Sequence, residues 1–539
     1  MQPADWPAAF WARSAPLLRT VLARLPYSRF ESLAALGVLL WAVAAGWGWL
    51  GGQGMAPATQ DWMQRHRLWA SAPDPRLLLV DIDERSLAEM APEFGRWPWP
   101  RDTLATVLDH AQAQGAEAVV FDILFSDADT VRPGGDQALA AAVARWPGSH
   151  FPVLRLPQAN DRLSSLRLDQ VPGLALATPD AARPAPTVAA VLPFMASMQA
   201  SGRLGSHTAQ LDGDGMLRRH AWGENLQGWV LPSLPWAVAH QHRAAVVAAA
   251  AWPDTQARPI VWRQDARAYP SVPFSVLWAC ADGAPRPGIS CPELRDKILV
   301  VGATAPSLHD LRSTPLAVNH PGLDILATLI DNALHERTVR ELTALQRALL
   351  SAVALALAVC AARRAGVAGT SRPLVALPLL LMALGYASLH TERWWLDLSL
   401  PAAAALLYLS LLKGFDALRR HVWRAEQAGP PGAQALCVLV PKAHAEQAER
   451  ALLDVLAAHP GWRLSQWQDT SGGAALPTVW ALWPQQHGQD AQALVHTLAS
   501  STPSMSTEPF TIAPGLASGL PTALARSLTP HLAESATHA

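Results

Sequence analysis

A set of oxygen-bearing side chains marks where this chain is best equipped for chemistry. Asp81 and Asp83 close the run Arg76-Leu-Leu-Leu-Val-Asp81-Ile-Asp83, Asp122 closes Ala118-Val-Val-Phe-Asp122, and Thr304 follows Val300-Val-Gly302-Ala. Asp127, Asp129 and Asp310 stand in the stretches that adjoin these runs. Carboxylates converging at one rim hold a hard cation through oxygen ligands, or an amine through its charge. The same residues also form turns and helix caps. Asp81 and Asp122 therefore read either as ligand groups or as caps that orient the loops around Trp97 and Arg101. Hydrolase chemistry has no support: Ser86 lacks a Gly-x-Ser-x-Gly elbow. His207, His220, His240 and His242 fall at no metal-ligand spacing.

The elements that must position these groups are short apolar runs. Leu77–Ile82, Ala118–Phe125 and Ile298–Val301 are rich in Val, Ile and Leu, as strands buried on both faces are. Between the first two, Arg101–Gly115 has helical spacing, with Leu104, Val107, Leu108 and Ala111 on one face, Asp102 as cap and Gly115 as stop. Strand, crossover helix, strand is the unit of a parallel sheet, and ligands bind beyond the carboxyl ends of such strands. Gln137–Arg145 is a second helix, Val153–Leu156 a third strand, and residues 157–200 a loop-rich insertion. Asp212-Gly-Asp214-Gly215 reads as a turn and not a calcium loop, since Met216 and Gly223 stand where oxygen ligands belong. It leads into Arg218-Arg219 on a strand. Leu234–Ala251 is a helix, Pro259–Arg263 a strand, and Gly322–Leu334 a helix leading toward the next apolar stretch.

The chain has 539 residues and a net charge of -1, so no basic field points to nucleic acid. Half of it is hydrophobic and only 16% is charged. Four runs suit bilayer-spanning helices of about 17–25 residues: 33–50, 342–362, 373–390 and 394–412. A cleaved signal peptide competes for the first, with Ala56-Pro-Ala58 as cleavage site. Arg13, Arg19, Arg24, Arg29, Arg363, Arg364, Arg372, Lys413, Arg419, Arg420 and Arg424 fall on one side, against His390, Glu392 and Arg393 on the other. This asymmetry places both termini in the cytoplasm. The expected divisions are a leader, 1–32; the first span, 33–50; an external domain, 52–341; three spans, 342–362, 373–390 and 394–412; and a cytoplasmic domain, 413–539. Trp394 and Trp395 fit an interfacial anchor, and Arg347 and Asp397 lie cheaply at helix ends. Cys280 and Cys291, exported together, are expected to pair; two unpaired buried thiols are the alternative.

Four ordered blocks carry a resemblance. They are Arg76 to Glu84, then Trp97-Pro98-Trp99-Pro100-Arg101, then Ala118 to Asp127, and last Val300-Val-Gly302-Ala-Thr304 with Asp310-Leu-Arg-Ser-Thr314-Pro315 and Pro321-Gly322. In this order they closely resemble the type 2 CHASE domain, an extracytoplasmic sensory module of bacterial signalling proteins, over roughly residues 60–340. The resemblance implies Trp97, Trp99, Arg101 and Gly302 as motif residues, and an inner-membrane sensor with a periplasmic domain. Trp97 and Trp99 are read as packing beneath the first helix, or as a rigid pocket wall.

Such domains usually feed a nucleotide cyclase or a kinase. The tail carries no kinase motif. Its expected strands are Ala435–Val440, Trp462–Trp467 and Thr478–Trp483, its helices Ala443–His459 and Asp490–Ser500, and residues 501–539 look loosely ordered. Pro477-Thr-Val-Trp-Ala-Leu-Trp-Pro484 faintly resembles a class III cyclase hairpin. Ala435–Pro441 has no acid, however, and Ser471-Gly-Gly-Ala replaces the Gly-Asp turn, so the two metals of that chemistry have no carboxylates. The expectation is an α/β protein with a parallel or mixed external sheet, one N-terminal and three C-terminal spans, and a small α/β tail that is not an enzyme. No cofactor is expected. Expected partners are the bilayer, an external ligand or protein, and a cytoplasmic signalling partner, with a homodimer among the options. A diverged cyclase and a structural envelope-binding protein are the alternatives.

Overall fold

The computed structural model describes residues 22, 25–48, 57–130, 132–242, 252–283, 290–424, 430, 432–440, 445–467, 478–501 and 506–511. The chain forms two compact units. One is Met55–Leu342 with Gly385–Leu396; the other is Met1–Gly54, Thr343–Leu384 and Asp397–Ala539.

In the first unit the chain runs β1 (Leu77–Ile82), α1 (Glu84–Phe94), α2 (Arg101–Ala113), β2 (Ala118–Phe121), α3 (Pro133–Arg145), β3 (Ser149–Arg155), β4 (Ala190–Val191) and β5 (Leu204–Ser206). It continues through α4 (Leu234–His242), β6 (Ser271–Pro273), α5 (Phe274–Ala281), β7 (Ile298–Ala303) and α6 (Gly322–Leu334). The seven strands make one sheet in the order β6-β1-β7-β2-β3-β4, with β5 also on β3. It is mixed: β4 runs antiparallel to β3, while the other pairs are parallel. Strand residues alternate faces. Leu78, Val80 and Ile82 pack with α2, α3 and α5. Leu77, Leu79, Ile298, Val300, Ala118 and Val120 pack with α4 and α6. From α6 come Leu323, Leu326, Ala327 and Ile330. Full burial of such side chains contributes about 1.5–3 kcal/mol each.

Several expected boundaries shift. β2 ends at Phe121, so Asp122–Phe125 leave the sheet. β3 begins at Ser149, β7 extends to Ala303, and of the expected 259–263 run only Pro259 is strand, in the two-residue strand Arg258–Pro259. Residues 157–200 include a 3-10 turn, two short strands and a five-residue helix. The expected helix beyond His242 falls outside the described residues. Asp102 does not cap α2. That role falls to Asp129, whose carboxylate accepts from the Arg101 N–H at 2.8 Å, because Pro100 directs the chain so that a distant acid meets the helix start. In the 212–215 turn, Asp212 and Asp214 grip the Arg218 guanidinium at 2.9 and 2.8 Å. Cys280 and Cys291 are joined by a disulfide, their Cα atoms 5.9 Å apart.

Among the described residues four helices are long and apolar enough to cross a membrane: Tyr27–Gly46, Ala344–Arg364, Ser371–Thr391 and Ser399–Trp423. Val38, Leu355, Ala358, Tyr408 and Leu409 pack among them. The tail is a four-stranded antiparallel sheet in the order β9-β10-β8-β11. Its elements are β8 (Gln434–Val440), α7 (Ala445–Ala458), β9 (Trp462–Trp467), β10 (Thr478–Pro484), α8 (Ala491–Ser501) and β11 (Ser506–Thr511). β11 corrects the expectation of a loose end from residue 501. Backbone pairing with β8 holds it there despite a composition poor in large apolar residues. Trp423, the last residue of the fourth apolar helix, is fully buried in the tail's core with Leu436, Leu452 and Leu482. The expected Ser471–Ala474 turn lies outside the described residues.

Candidate functional site

Asp81 and Gly302 stand side by side one residue before the ends of β1 and β7, and Asp122 directly follows the end of the adjacent β2. Asp81 pairs in register with Gly302, and Val301 with Phe121 just before Asp122. Alternation puts all three on the face covered by α6. Gly302 is required there: a Cβ would come within 2.8 Å of Asp122 Cβ and 3.0 Å of Leu323 Cδ1. The glycine lets the start of α6 close over the sheet between two carboxylates.

The rim is two half-sites. In one, Asp81 accepts from the Thr304 N–H at 3.2 Å and from its hydroxyl at 2.7 Å. Burial pushes the Asp81 carboxyl up, against those hydrogen bonds. Asp324, on the first turn of α6, is 4% exposed. Burial pushes its carboxyl up to about 7; Arg267 opposes this and Asp81 adds to it. In the other half-site the Asp122 side chain is 1% exposed, with His207 Nε2 3.1 Å from Oδ1. That approach is poorly aligned, and neither carboxylate oxygen accepts a hydrogen bond of ordinary geometry. Burial pushes the Asp122 carboxyl up; His207 and Arg312 oppose, and Asp310 adds. The Asp310 carbonyl accepts from the Gly322 N–H, and its carboxylate lies 3.8 Å from Arg312.

His207 lines a cavity of about 370 Å³, together with His220, Asp310, Arg312 and the α6 residues Ile325, Leu326 and Leu329. His220 Nε2 is buried without a hydrogen-bond partner. Burial, with a smaller contribution from His207, pushes the His220 imidazole down to about 4, so it is neutral near pH 7.

The other expected rim residues go elsewhere. Asp83 caps α1, accepting from the Ser86 N–H at 2.7 Å, because it sits at the non-helical position just before Glu84. Asp127 is exposed and takes the Ser126 hydroxyl at 2.7 Å, since its segment has already left the sheet. Trp99 is 3% exposed in the core, 5.1 Å from the Phe274 ring, and Trp97 packs edge-on against it at 5.0 Å. Arg101 lies over the Phe125 ring at 4.8 Å. These motif residues brace the α2 end of the core and do not line the cavity.

A buried ionic network follows at the other end of α6. Asp331 meets Arg263 at 2.9 Å, Arg337 at 2.6 Å and the Tyr269 hydroxyl at 2.9 Å. Asp74, Asp331 and His335 stand close enough together for a metal. Arg76 already pairs with Asp74 at 2.8 Å, so with Arg263 and Arg337 beside Asp331 these carboxylates are neutralised by guanidinium groups. Arg337 also reaches Glu392 at 3.3 Å. Glu392, at φ 54°, accepts from Arg67 at 3.2 Å and from the Ser71 hydroxyl at 2.6 Å. Burial alone would raise the Glu392 carboxyl; Ser71, Arg67 and Arg337 together hold it below its ordinary value. Trp394 and Trp395 pair as a short parallel strand with Arg340 and Glu341. Trp395 is 3% exposed, while Trp394 remains 41% exposed.

Sequence reasoning missed His207, His220 and Asp324 as site residues, and Arg67, Arg337 and Glu392 as a clasp. One signal was available: Asp324 is an acid two residues after the motif glycine Gly322, in the first turn of a helix whose next six residues carry no charge.

Residues 35–362 match the CHASE2 domain family, a span that takes in most of the first apolar helix and most of the second. No curated protein and no solved structure matches the chain.

Proposed function

The chain belongs to the CHASE2 domain family and is accordingly a membrane signalling protein with an extracellular sensory module, and from that premise we propose that it relays an external cue to a non-catalytic cytoplasmic tail. In this reading residues 52–341 face the periplasm of a bacterial inner membrane. The four apolar helices span that membrane and both termini are cytoplasmic, as the arginine asymmetry requires.

One observation carries the relay: the loop between the third and fourth apolar helices is built into the sensory unit through Glu392. α6 joins two places within that unit. Its first turn covers Gly302 and Asp122, and Asp331, near its end, pairs with Arg337, which pairs with Glu392. From Ser399 one helix of 25 residues, about 37 Å at 1.5 Å per residue, runs to Trp423 in the tail's core. A cue that shifts α6 therefore has a covalent and ionic route to the tail. Contiguity alone does not move signal; the ligand must bind two arrangements of α6 with different affinity.

The tail is read as a docking domain because β8 supplies no acid for metal-assisted phosphoryl transfer. Truncation after residue 423 tests the relay. If the truncated chain is made and inserted but fails to complement deletion of the whole gene, the relay stands. Full complementation would make the protein an envelope scaffold that transmits nothing.

A further inference from the structure

We infer that a second cavity, walled by Arg340, Arg393, Trp252 and Trp394, is a lipid site that takes the phosphodiester headgroup of an anionic phospholipid. The site depends on the apolar helices crossing a bilayer, as proposed above, and not on which side of it the sensory unit faces.

This cavity, about 980 Å³ in volume, is lined entirely by residues of the sensory unit. Its wall includes both places where the chain of that unit meets the neighbouring apolar helices. Thr391 closes the third of those helices, with Arg393 and Trp394 just after it, and Arg340 stands shortly ahead of Ala344, where the second begins. Arg340 pairs with Trp394 in the short parallel strand, and its N–H donates to the Arg393 carbonyl at 2.9 Å. The two crossing points are thereby fixed side by side, at the level where a bilayer presents its headgroups. The aromatic residues agree. Trp394 and Trp252 are 41% and 40% exposed, and Leu68 and Trp69 are exposed beside His390, near the same helix end. Tryptophan is enriched at membrane–water interfaces, where one part of the ring is wet and the rest meets lipid.

Charge sets the class of headgroup. Arg258, Arg337, Arg340 and Arg393 line the cavity with Asp254, Glu336 and Glu392. Asp254 is taken by Arg258 at 2.9 Å, and Glu392 by Arg67 and Arg337 at 3.2 and 3.3 Å. Glu336 is exposed. Arg340 and Arg393 meet no carboxylate among the described residues, and the Arg340 guanidinium lies over the Trp394 ring at 5.8 Å. Two guanidinium groups without acids, on facing strands, suit phosphate oxygens, which they bind through paired N–H donors. A choline headgroup would set a further cation against them. A soluble anion would leave the indole wall unused, whereas the glycerol and first methylenes of a lipid cover it. Arg393 and Trp394 share a loop with Glu392, so a bound headgroup bears directly on the clasp.

The test is photolabelling of the full-length protein in nanodiscs, with phosphatidylglycerol or phosphatidylcholine carrying a diazirine close to the headgroup. Phosphatidylglycerol should label peptides spanning residues 336–340 and 391–394, and phosphatidylcholine should label them about tenfold less. Arg340→Gln combined with Arg393→Gln should abolish that preference without lowering the melting temperature, since neither guanidinium holds an ion pair. Arg340→Lys combined with Arg393→Lys, which keeps the charge, should retain it. Equal labelling by the two lipids, labelling confined to other peptides, or a preference that survives the glutamine variant would overturn the inference. Loss of the label on adding millimolar glycerol 3-phosphate would overturn it too, because the occupant would then be a soluble phosphate ester. Each of these failures leaves the relay standing, because truncation of the tail tests that without reference to lipid.

Discussion

Glu392 accepts a hydrogen bond from Arg67 at 3.2 Å across 325 residues of sequence. The two side chains are 12% and 4% exposed. Breaking a buried pair by removing one partner costs about 3–5 kcal/mol, because a charge is left uncompensated. Glu392→Ala should therefore destabilise the sensory unit by about 3 kcal/mol. Amide hydrogen exchange should rise in residues 389–396 and 67–71 before it rises in β1. Unchanged protection there would show that the loop is not held by its carboxylate.

Asp324 gives the sensory unit a pH dependence with a definite sign. Its folded carboxyl titrates at about 7, whereas an unfolded aspartate titrates near 3.9. An acid raised on folding contributes fully below the unfolded value, and that contribution is lost as pH rises through the folded one. Wild-type stability should fall relative to Asp324→Asn between about pH 4 and 7, by an amount on the order of 2–4 kcal/mol. Other groups titrate as well, such as His320, which burial pushes down to about 4. The measurement is therefore the difference between the two melting curves across pH. A difference that stays flat would remove Asp324 as a buried acid.

The disulfide closes a short loop, with a sequence separation of 11. By loop entropy it contributes about 3 kcal/mol. Non-reducing peptide mapping of exported protein should recover Cys280 joined to Cys291, and reduction should lower the melting temperature. Recovery of both as free thiols would contradict it.

The tail should show no cyclase turnover. Two missing metal ligands each remove transition-state stabilisation worth several kcal/mol, and about 1.4 kcal/mol is a factor of ten in rate. Homogeneous full-length protein with ATP or GTP and magnesium or manganese should yield no cyclic nucleotide. Clear metal-dependent turnover would make the protein an enzyme.

The sequence exposes what depends on local pattern. The apolar runs at Leu77–Ile82 and Gly322–Leu334 match the observed elements, since burial on both faces or one helical face is written directly in residue type. Asp81 and Thr304 were recognisable because both end strands that must be neighbours. His207 was not, because it meets Asp122 only through the pairing of β5 with β3, which no spacing in the sequence encodes. Glu392 reads as an ordinary charge in a short loop between spans; its partners come from the two ends of the sensory unit. The Asp129 cap on α2 was hidden for the same reason, since the local candidate, Asp102, lies only one residue into the helix and pairs instead with Arg132.

Orientation is the premise on which sensing and relay both stand, and alkaline phosphatase fusions test it most directly. The enzyme is active only outside the inner membrane. A fusion after residue 250 and another within the clasp loop, after Arg393, should be active, and one after residue 430 should be inactive. Activity at 430 with silence at 250 and 393 would place the sensory unit in the cytoplasm and contradict the account.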